Sequence, residues 1–575
     1  MARIRKLEIQ NFRGVKELSW LPSPGINCLI GPGDSGKSTI LEAIDLCLGA
    51  RRNLQFDDSD FNGLSVDEAI SISLTIGDLD DRLKNIDSYG LFVRGFQIQS
   101  GEITDEPEAG SETVLTLNLT VSSDLEPTWS LFSDRAQAQG TTRNLAWADR
   151  VRLAPIRIGA LADQHLGWRR GSVLNRLTTE GPDASATLLK AAREARMAFG
   201  NEASNELGQT LALVYKTAMS LGVPINGAAK ALLDAESVSF SGGTISLHDG
   251  VGVPLRGLGM GSARLLIAGL QRAAAETASI VLLDELEHGL EPHRIHRLLA
   301  SLGAKEAEPP LQAFVTTHSP AALRELSGRQ LFVTRARERR HELLNVGDED
   351  DIQSTIRLFP DALLAPSVIV CEGASEVGFI RGLDRRRVEM NLAGIGALGV
   401  ALVDSGGIGN AFRRARVFQQ LGYRVAVLRD DDERPSAEVE QAFQDQGGTV
   451  FAWREGRALE DELFLSLPDD AILGLIEQAV ELRGENVIAG HVAARSTIGR
   501  DLNSIQMESL FDGISVEGRQ ILARAATIPK AGWFKSVSKM EAAAYDHVSA
   551  NLEGADTAFV AVLEGIFTWC SSGQR

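Results

Sequence analysis

A chain of 575 residues, 44% of them hydrophobic and 23% charged, is long enough to form two or three folding units with sizeable cores. Its formal net charge of −19 argues against a protein that coats nucleic acid non-specifically, because such proteins are usually basic. Clustered carboxylates can nevertheless bind the phosphates of a nucleic acid through the cations that they hold. No segment approaches the roughly 20 apolar residues of a membrane helix, and the N-terminus lacks an apolar signal core. With four scattered cysteines, these features predict a cytoplasmic protein without membrane contact.

The spacing of apolar residues in the first 345 residues predicts one α/β unit with an insertion. In chain order, strands are predicted at 3–10, 26–30, 69–76, 114–121, 237–247 and 280–283, and a helix at 39–48. The polar, acidic stretch between the third and fourth strands is predicted to be a loop. A helical pattern at 164–222 predicts a helical insertion at 164–235 within a domain formed by 1–163 and 236–345. We expect its apolar face to pair with a second copy; the alternative is packing against its own domain.

A second α/β unit is predicted from 366 to 575, after a linker at 346–365. Short apolar strands are predicted at 367–370, 400–403 and 424–428. Helical patterns lie between them, and strands that alternate with helices form parallel sheets. The remainder of this unit is predicted to be a C-terminal helical part.

A glycine-rich loop follows the strand at 26–30 and precedes a helix. Its sequence, GPGDSGKS from Gly31 to Ser38, matches the phosphate-binding pattern GxxxxGK[ST]. In such a loop the backbone N–H groups turn toward phosphate oxygens at a helix N-terminus, the lysine reaches the β- and γ-phosphates, and the serine hydroxyl binds Mg²⁺. The alternative, a chance glycine loop, is disfavoured by the flanking strand and helix. The predicted ATP-binding residues here are Gly31, Gly33, Asp34, Ser35, Gly36, Lys37, Ser38 and Thr39.

Two later strands end in polar residues that suit the same nucleotide. The strand at 280–283 ends in Asp284 and Glu285. This position predicts Asp284 near the Mg²⁺ shell and Glu285 as the group that polarises an attacking water. A further strand ends at His318, which we predict to sense the γ-phosphate, although a lone histidine is usually structural.

These motifs, together with the opening IRKLEIQNFRG, resemble the ABC-type ATPase heads of the RecF and SMC kind. The resemblance implies that ATP is enclosed between two subunits, the second of which contributes a signature loop, and hence a homodimer or homotetramer. The best match for that loop is Leu258–Ser262, before a helix predicted at 263–275. Met260 stands where a phosphate-contacting serine is common, which disfavours fast hydrolysis and favours ATP as a conformational clamp.

A second acidic cluster is predicted from two strand ends. Glu372 follows the strand at 367–370, and Glu376 comes one helical turn later. Asp430 and Asp432 follow the strand at 424–428, with their side chains on one side and that of Asp431 on the other. Carboxylates that converge in this way repel one another unless cations neutralise them, and oxygen ligands select Mg²⁺ or Mn²⁺. The alternative is that each acid lies in a solvated turn.

The pattern hhhEGxxE followed by hhhxDxD, in which h is an apolar residue and x is any residue, resembles the TOPRIM domain. An ABC-type head followed by a TOPRIM domain resembles the OLD (overcoming lysogenization defect) nucleases. That family includes the GajA nuclease subunit of the Gabija anti-phage system. The likeness implies a glycine turn at Asp404–Gly407, a further ligand at Glu460 with Glu462 as the fallback, and a lysine that steadies phosphate charge at Lys530, with Lys535 competing for that role. The alternatives are that either glutamate is only an acid at a helix N-terminus and that the lysine is a surface residue. By this likeness the metal ligands would be Glu372, Glu376, Asp430, Asp432 and Glu460, with Glu372 and Lys530 also catalytic.

The sequence therefore predicts an ATP-binding, Mg²⁺- or Mn²⁺-dependent DNA endonuclease that hydrolyses phosphodiesters with two metals. Its expected partners are DNA, ATP, further copies of itself and a helicase-like or other defence protein. None of the four tyrosines lies in the acidic motifs, so water is the expected nucleophile and a topoisomerase- or primase-like enzyme is disfavoured. The main alternative is an ATP-driven DNA clamp or repair scaffold with an inactive TOPRIM domain.

Overall fold

The chain divides into two compact units, Met1–Asp348 and Glu349–Arg575, in a computed structural model. The structure describes residues 2–51, 54–159, 165–167, 172–177, 206–233, 245–275, 279–337, 340–454, 456–528 and 531–574. Most of the predicted insertion at 164–235, and Lys530, lie outside these ranges. None of the described helices is long and apolar enough to cross a membrane.

The first unit is built mainly on one large mixed sheet. The strands of this unit are β1 (Arg3–Phe12), β2 (Val15–Trp20), β3 (Ile26–Ile30), β4 (Ile70–Gly77), β5 (Val93–Phe96), β6 (Ile103–Thr104), β7 (Glu112–Val121), β8 (Pro127–Phe132), β9 (Ile156–Arg157), β10 (Lys230–Leu233), β11 (Ile245–His248), β12 (Ile280–Leu283), β13 (Gln312–Thr316), β14 (Leu331–Arg337) and β15 (Arg340–Asn345). Its helices are α1 (Lys37–Leu48), α2 (Ile86–Tyr89), α3 (Asp134–Ala138), α4 (Trp147–Leu153), α5 (Val173–Leu177), α6 (Gly208–Leu221), α7 (Met260–Ala273), α8 (Pro292–Ser301) and α9 (Pro320–Glu325).

The large sheet has a parallel part and an antiparallel part. Its order is β6-β5-β7-β4-β1-β2-β15-β14-β3-β13-β12-β9, with β8 paired to β7. The strands from β14 to β9 run parallel, and β3, β12 and β13 are buried at every residue, as expected for strands covered on both faces. Because parallel strands end at one edge, β3, β12 and β13 deliver the phosphate-binding loop, Asp284 and His318 to the same place.

Several expectations for this unit differ from the structure. The stretch predicted as a loop between β4 and β7 contains α2, β5 and β6; β5 pairs with β7, and β6 pairs with β5. Residues 230–233, predicted as part of a helical insertion, form β10, which pairs with β11. Helix α7 begins at Met260, three residues earlier than predicted, so the predicted signature loop runs into the helix.

The described part of the insertion contains one long helix, α6, which packs against α7 of the same unit. Gly269 of α7 permits this approach, because a Cβ atom there would come within 2.8 Å of the Leu221 side chain. This contact corresponds to the alternative in which the insertion packs against its own domain. Pairing with a second copy stays a prediction.

The second unit contains a four-stranded parallel sheet in the order β17-β16-β18-β19. The strands are β16 (Ser367–Cys371), β17 (Val400–Asp404), β18 (Arg424–Arg429) and β19 (Thr449–Ala452). The helices are α10 (Asp350–Leu358), α11 (Pro360–Leu364), α12 (Ala374–Glu389), α13 (Ile408–Gln420), α14 (Ala437–Asp445), α15 (Leu459–Ser466), α16 (Asp469–Arg483), α17 (Glu485–Arg495), α18 (Leu502–Glu508), α19 (Val516–Ala526), α20 (Val537–Ala543) and α21 (Thr557–Ser571). One apolar core joins the sheet to the C-terminal helices.

The segment predicted as a linker, 346–365, differs from that expectation. It forms α10 and α11, which pack against α13 and β17 of the second unit. The physical reason is that Ile352, Ile356 and Leu363 are apolar at helical spacing and become buried.

Candidate functional site

The phosphate-binding loop has the conformation that its glycines permit. Gly31 has φ +143°, and a Cβ atom there would lie 2.8 Å from the carbonyl oxygen of Thr334. Gly36 has φ +84° and is the N-cap residue of helix α1. The Lys37 ammonium donates to the carbonyl oxygens of Gly31 at 3.0 Å and Pro32 at 2.6 Å. Burial lowers the pKa of Lys37, and the carboxylates of Asp284 and Asp34 oppose that shift.

A chain of hydroxyl and carboxyl groups joins the loop to the ends of β12 and β13. Ser38 Oγ donates to Asp284 Oδ1 at 3.1 Å, and Thr316 Oγ1 donates to the same oxygen at 2.5 Å. The Glu285 backbone N–H donates to Thr316 Oγ1 at 2.8 Å. Thr316 was not among the predicted site residues; its only signal in the sequence is a hydroxyl at the end of the strand that leads to His318.

A pocket of about 350 Å³ brings together most of the predicted nucleotide residues. Its lining consists of Gly14, Gly33, Asp34, Ser35, Gly36, Lys37, Ser38, Thr39, Glu285, Thr316 and His318. Glu285 has a left-handed φ of +48° and an exposed side chain. A non-glycine residue in that conformation costs of order 1–3 kcal/mol and is typical of functional sites. The arrangement can cradle a triphosphate beside a carboxylate and an imidazole.

In the second unit, adjacent strands bring Glu372 and Asp430 together. Strands β16 and β18 pair so that Cys371 lies opposite Leu428. Glu372 Oε2 accepts a hydrogen bond from the Asp430 N–H at 3.0 Å. The two predicted strand-end acids are therefore neighbours at one edge of the sheet.

The turn at Asp404–Gly407, after β17, braces the backbone of Glu372. Ser405 Oγ donates to the carbonyl oxygen of Glu372 at 2.8 Å, and the Gly407 N–H donates to the same oxygen at 2.7 Å. Gly406 and Gly407 have φ +73° and +120°, values that favour glycine. The turn thus fixes the strand end that carries the first acid.

Asp430, which is half-buried, interacts electrostatically with two buried carboxyl groups, Glu376 and Glu460. Glu376 is 3% exposed, and burial followed by the neighbouring Glu460 raises its pKa to about 8. The pKa of Asp430 is raised to about 10. Burial is the largest cause, and the negative charges of the neighbouring carboxylates add to it, in the order Glu376, Glu460, Glu372 and Asp432. Burial also raises the pKa of Glu460, and Lys535 partly opposes this. We call Glu372, Glu376, Asp430, Asp432 and Glu460 the acidic cluster.

Neighbouring acids are held by arginines instead. Glu462 is fully buried and accepts hydrogen bonds from Arg454 and Arg457, at 2.8 and 3.1 Å. Asp431 is buried, yet hydrogen bonds from Arg434, Arg429 and the Gly456 N–H lower its pKa to about 2. Both acids have a structural role, whereas Glu460 Oε1 is buried and has no hydrogen-bond partner among the described residues.

The acidic cluster fits divalent cations by its chemistry, although its side chains are not gathered around one point. Over the described ranges, no three Asp, Glu, His or Cys side chains stand in the arrangement of a metal site. The reason is that Glu372, Glu376 and Asp430 each accept a backbone N–H, from Asp430, Gly373 and Leu459 respectively. The all-oxygen donor set suits Mg²⁺ or Mn²⁺, and the unpartnered Glu460 oxygen is an unused ligand.

Two family models match the chain. Residues 26–324 match the model described as "AAA domain, putative AbiEii toxin, Type IV TA system". Residues 363–432 match the model described as "Overcoming lysogenization defect protein-like, TOPRIM domain". The chain belongs to the OLD family. This confirms the predicted order of an ATPase domain and a TOPRIM domain in an OLD-family protein. The closer resemblance to the Gabija subunit stays a prediction.

Curated relatives match over short segments. The chain is 53% identical over 45 residues to the DNA replication and repair protein RecF of Prosthecochloris aestuarii, covering 8% of this chain and 12% of the relative. It is 36% identical over 81 residues to RecF of Lachnoclostridium phytofermentans, covering 14% of this chain and 22% of the relative. The OLD-family chain thus spans less than a quarter of the length of these relatives.

Solved structures with some similarity are SMC head domains. One, from Pyrococcus furiosus, has an extended coiled coil and is bound to the C-terminal domain of ScpA; the identity is 16% and the TM-score 0.35, over 60% of this chain and 96% of that one. Another, from Thermotoga maritima, has 14% identity and a TM-score of 0.28, over 60% and 99%. A likeness of this degree says nothing about function.

Proposed function

We propose that this OLD-family protein is an ATP-binding and ATP-hydrolysing, Mg²⁺- or Mn²⁺-dependent DNA endonuclease. The observation that carries the proposal is the acidic cluster at the carboxyl edge of the second sheet. It concentrates buried and half-buried carboxyl groups whose negative charges, after burial, raise the pKa values of Glu376 and Asp430, and one of its buried oxygens lacks a hydrogen-bond partner in the described part of the chain. Such a site is unfavourable for stability unless cations neutralise it.

In the first unit, the pocket residues have distinct roles toward ATP. Lys37 and the loop N–H groups would bind the phosphates, while Ser38 and Asp284 would hold Mg²⁺. Glu285 would orient and deprotonate the attacking water, and His318 would contact the γ-phosphate. Support comes from the Ser38–Asp284 hydrogen bond and from the exposed side chains of Glu285 and His318 at the pocket.

In the second unit, the acidic cluster would hold two divalent cations. Bound there, the cations would supply an activated water and stabilise the leaving oxygen of a DNA phosphodiester. Glu372, whose backbone is braced by the 404–407 turn, would fix the position of this edge. Lys535 lies close enough to Glu460 to affect its pKa, so its ammonium can also face a DNA phosphate. Lys530 stays the other candidate for this role.

Water is preferred over a tyrosine as the nucleophile. The hydroxyl groups of Tyr89, Tyr423 and Tyr545 are bound to Asp149, the carbonyl oxygen of Leu363 and Glu389, respectively. The remaining tyrosine, Tyr215, lies on α6 in the first unit. Hydrolysis therefore fits this chain better than the covalent chemistry of a topoisomerase.

The family and the ATPase architecture support a proposal for the cellular setting. We propose a cytoplasmic homodimer or homotetramer that acts in anti-phage defence or DNA processing, with a helicase-like or other defence protein as partner. An ABC-type head encloses its nucleotide only when a second copy closes over it. Co-expression with neighbouring genes and mass measurement of the purified complex test this part.

The test of the nuclease is a plasmid-nicking assay on the full chain. Wild-type protein is incubated with supercoiled DNA and Mg²⁺ or Mn²⁺, with and without ATP, beside Glu372→Ala and the control Glu438→Ala, an exposed acid on α14. We expect nicking by wild type and control, and none by Glu372→Ala, with circular dichroism unchanged. Nicking by folded Glu372→Ala contradicts the site. If the wild type does not nick DNA with either cation but still hydrolyses ATP, the result favours an ATP-driven clamp.

A further inference from the structure

Arg264 is a buried cation that the proposed chemistry does not use. It lies on α7, two residues after the predicted signature loop Leu258–Ser262, and is 1% exposed. Burial lowers the pKa of its guanidinium, and the carboxylates of Glu287, Asp284 and Glu285 act in the opposite direction. An arginine is rarely buried unless its donors are used.

The guanidinium donates to a cluster of carbonyl oxygens in the segment that follows β12. Its Nη1 reaches the carbonyl oxygens of Glu285 at 2.9 Å and His288 at 2.8 Å. Its Nη2 reaches the carbonyl oxygen of Asp284 at 2.7 Å, and that of Ile158 at 3.4 Å. Arg264 therefore ties helix α7 to the backbone that carries the two acids of the nucleotide site. We call residues 284–288 the acid loop.

Glu287 ties the same loop to the histidine on the other side of the pocket. Its Oε1 accepts the His318 N–H at 2.8 Å, and its Oε2 accepts the Thr317 hydroxyl at 2.6 Å. The side chain of Glu287 is half-buried and does not line the pocket. Its two carboxylate oxygens are thus both engaged in holding the segment that presents His318.

We infer that Arg264 and Glu287 are positioning residues for ATP hydrolysis, which together transmit the placement of α7 to Glu285 and His318. The left-handed backbone of Glu285 needs support from its surroundings, and the Arg264 hydrogen bond to the Glu285 carbonyl supplies it. The planar guanidinium of Arg264 donates to the carbonyl oxygens of three residues of the acid loop at once. A lysine ammonium lacks this fixed geometry of donors and could not make all three contacts. Neither residue touches the pocket, so their loss affects the rate of hydrolysis and not the binding of ATP.

The inference rests on the assignment of ATP hydrolysis to the first unit and is independent of DNA cleavage. The experiment measures single-turnover hydrolysis and binding of a fluorescent ATP analogue with the full chain. Variants are Arg264→Lys, Glu287→Gln, His318→Ala and the Glu287→Gln/His318→Ala pair. Matched controls are Arg272→Lys, also on α7 and paired with Glu306, and Glu325→Gln on α9, which binds Lys305.

We expect Arg264→Lys and Glu287→Gln each to slow hydrolysis by about 10- to 100-fold, the order seen when catalytic groups are misplaced, with the analogue's Kd changed less than about twofold. The control variants stay at the wild-type rate. If Glu287 acts through His318, adding Glu287→Gln to His318→Ala slows hydrolysis no further.

Four results would overturn the inference. One is a folded Glu287→Gln protein with the wild-type rate, and another is losses that multiply in the Glu287/His318 pair. The third is a parallel loss of binding and rate, which indicates a purely structural role. Should Arg264→Lys fail to fold, the Glu287 series decides alone. A wild type that binds the analogue but hydrolyses no ATP also rejects the inference, and leaves the nuclease proposal to its own assay.

Discussion

Replacing Glu460 by glutamine should stabilise the cation-free protein and weaken its response to divalent cations. Glu460 is 4% exposed, and its Oε1 has no hydrogen-bond partner within the described ranges. It also contributes, after burial, to the raised pKa values of Glu376 and Asp430. The substitution keeps the shape of the side chain and removes a charge whose burial is unfavourable.

The size of the effect follows from the cost of a buried unsatisfied group, about 1–3 kcal/mol. For a domain of 150–250 residues, 1 kcal/mol shifts the melting temperature by roughly 2–4 °C. We therefore expect Glu460→Gln to raise the melting temperature in EDTA by roughly 2–12 °C. Wild-type protein should gain stability on adding Mn²⁺, by about 2.7 kcal/mol at 100 times the Kd, and the variant should gain much less.

The assay is differential scanning calorimetry of the full chain in EDTA and in a series of Mn²⁺ concentrations. The matched control is Glu462→Gln, two residues away and also buried. Because Glu462 is paired with Arg454 and Arg457, its loss should destabilise the protein by about 3–5 kcal/mol with or without cations. A Glu460→Gln protein that is less stable in EDTA, or that gains as much from Mn²⁺ as the wild type, refutes the reasoning.

Three further predictions concern the two sites. Lys37→Ala should raise the Kd of a fluorescent ATP analogue at least about 100-fold, the loss of a charged phosphate contact, while the Mn²⁺ shift in calorimetry persists; intact affinity rejects the loop assignment. Asp431→Asn should destabilise the protein at pH 7 by about 2 kcal/mol, because the native state lowers the pKa of Asp431 from 3.8 to about 2 and so favours its ionised form. Urea unfolding in EDTA measures this loss, and an unchanged unfolding midpoint contradicts the prediction. Lys535→Ala should slow DNA nicking by about 10-fold or more if the Lys535 ammonium faces the phosphate. The control Lys539→Ala, on α20, should leave the nicking rate unchanged. A loss of nicking confined to Lys530→Ala would assign the role to Lys530.

The order of local motifs was enough to predict the family and the two domains. A phosphate-binding loop is a continuous segment between one strand and one helix, so its pattern is visible at Gly31–Ser38 without tertiary information. Acids at the ends of neighbouring parallel strands meet at one edge, which is why Glu372 and Asp430 could be predicted to approach each other. The observed distance from Glu372 Oε2 to the Asp430 nitrogen, 3.0 Å, agrees with that expectation.

Short edge strands and the predicted linker could not be identified in this way. Strands β5 and β6 have four and two residues, too few for a periodic pattern; β7 offers a pairing edge to β5, which in turn pairs with β6. The segment 346–365 reads as polar, yet α10 and α11 bury a few apolar residues against the second unit. In both places, partners distant in the sequence provide the stabilisation.

By itself, the sequence determined which chemical groups the protein has and the order in which strands deliver them. Only the tertiary structure decided which of those groups remain unpaired. Glu460 and Glu462 are equivalent in the sequence, but Glu462 meets Arg454 and Arg457 while Glu460 faces other carboxyl groups. Likewise, Arg264 and Glu287 acquire their place beside the nucleotide site from contacts that span 20 or more residues of chain. Hydrogen bonds and charge pairing depend on distances in space, and no local pattern encodes these.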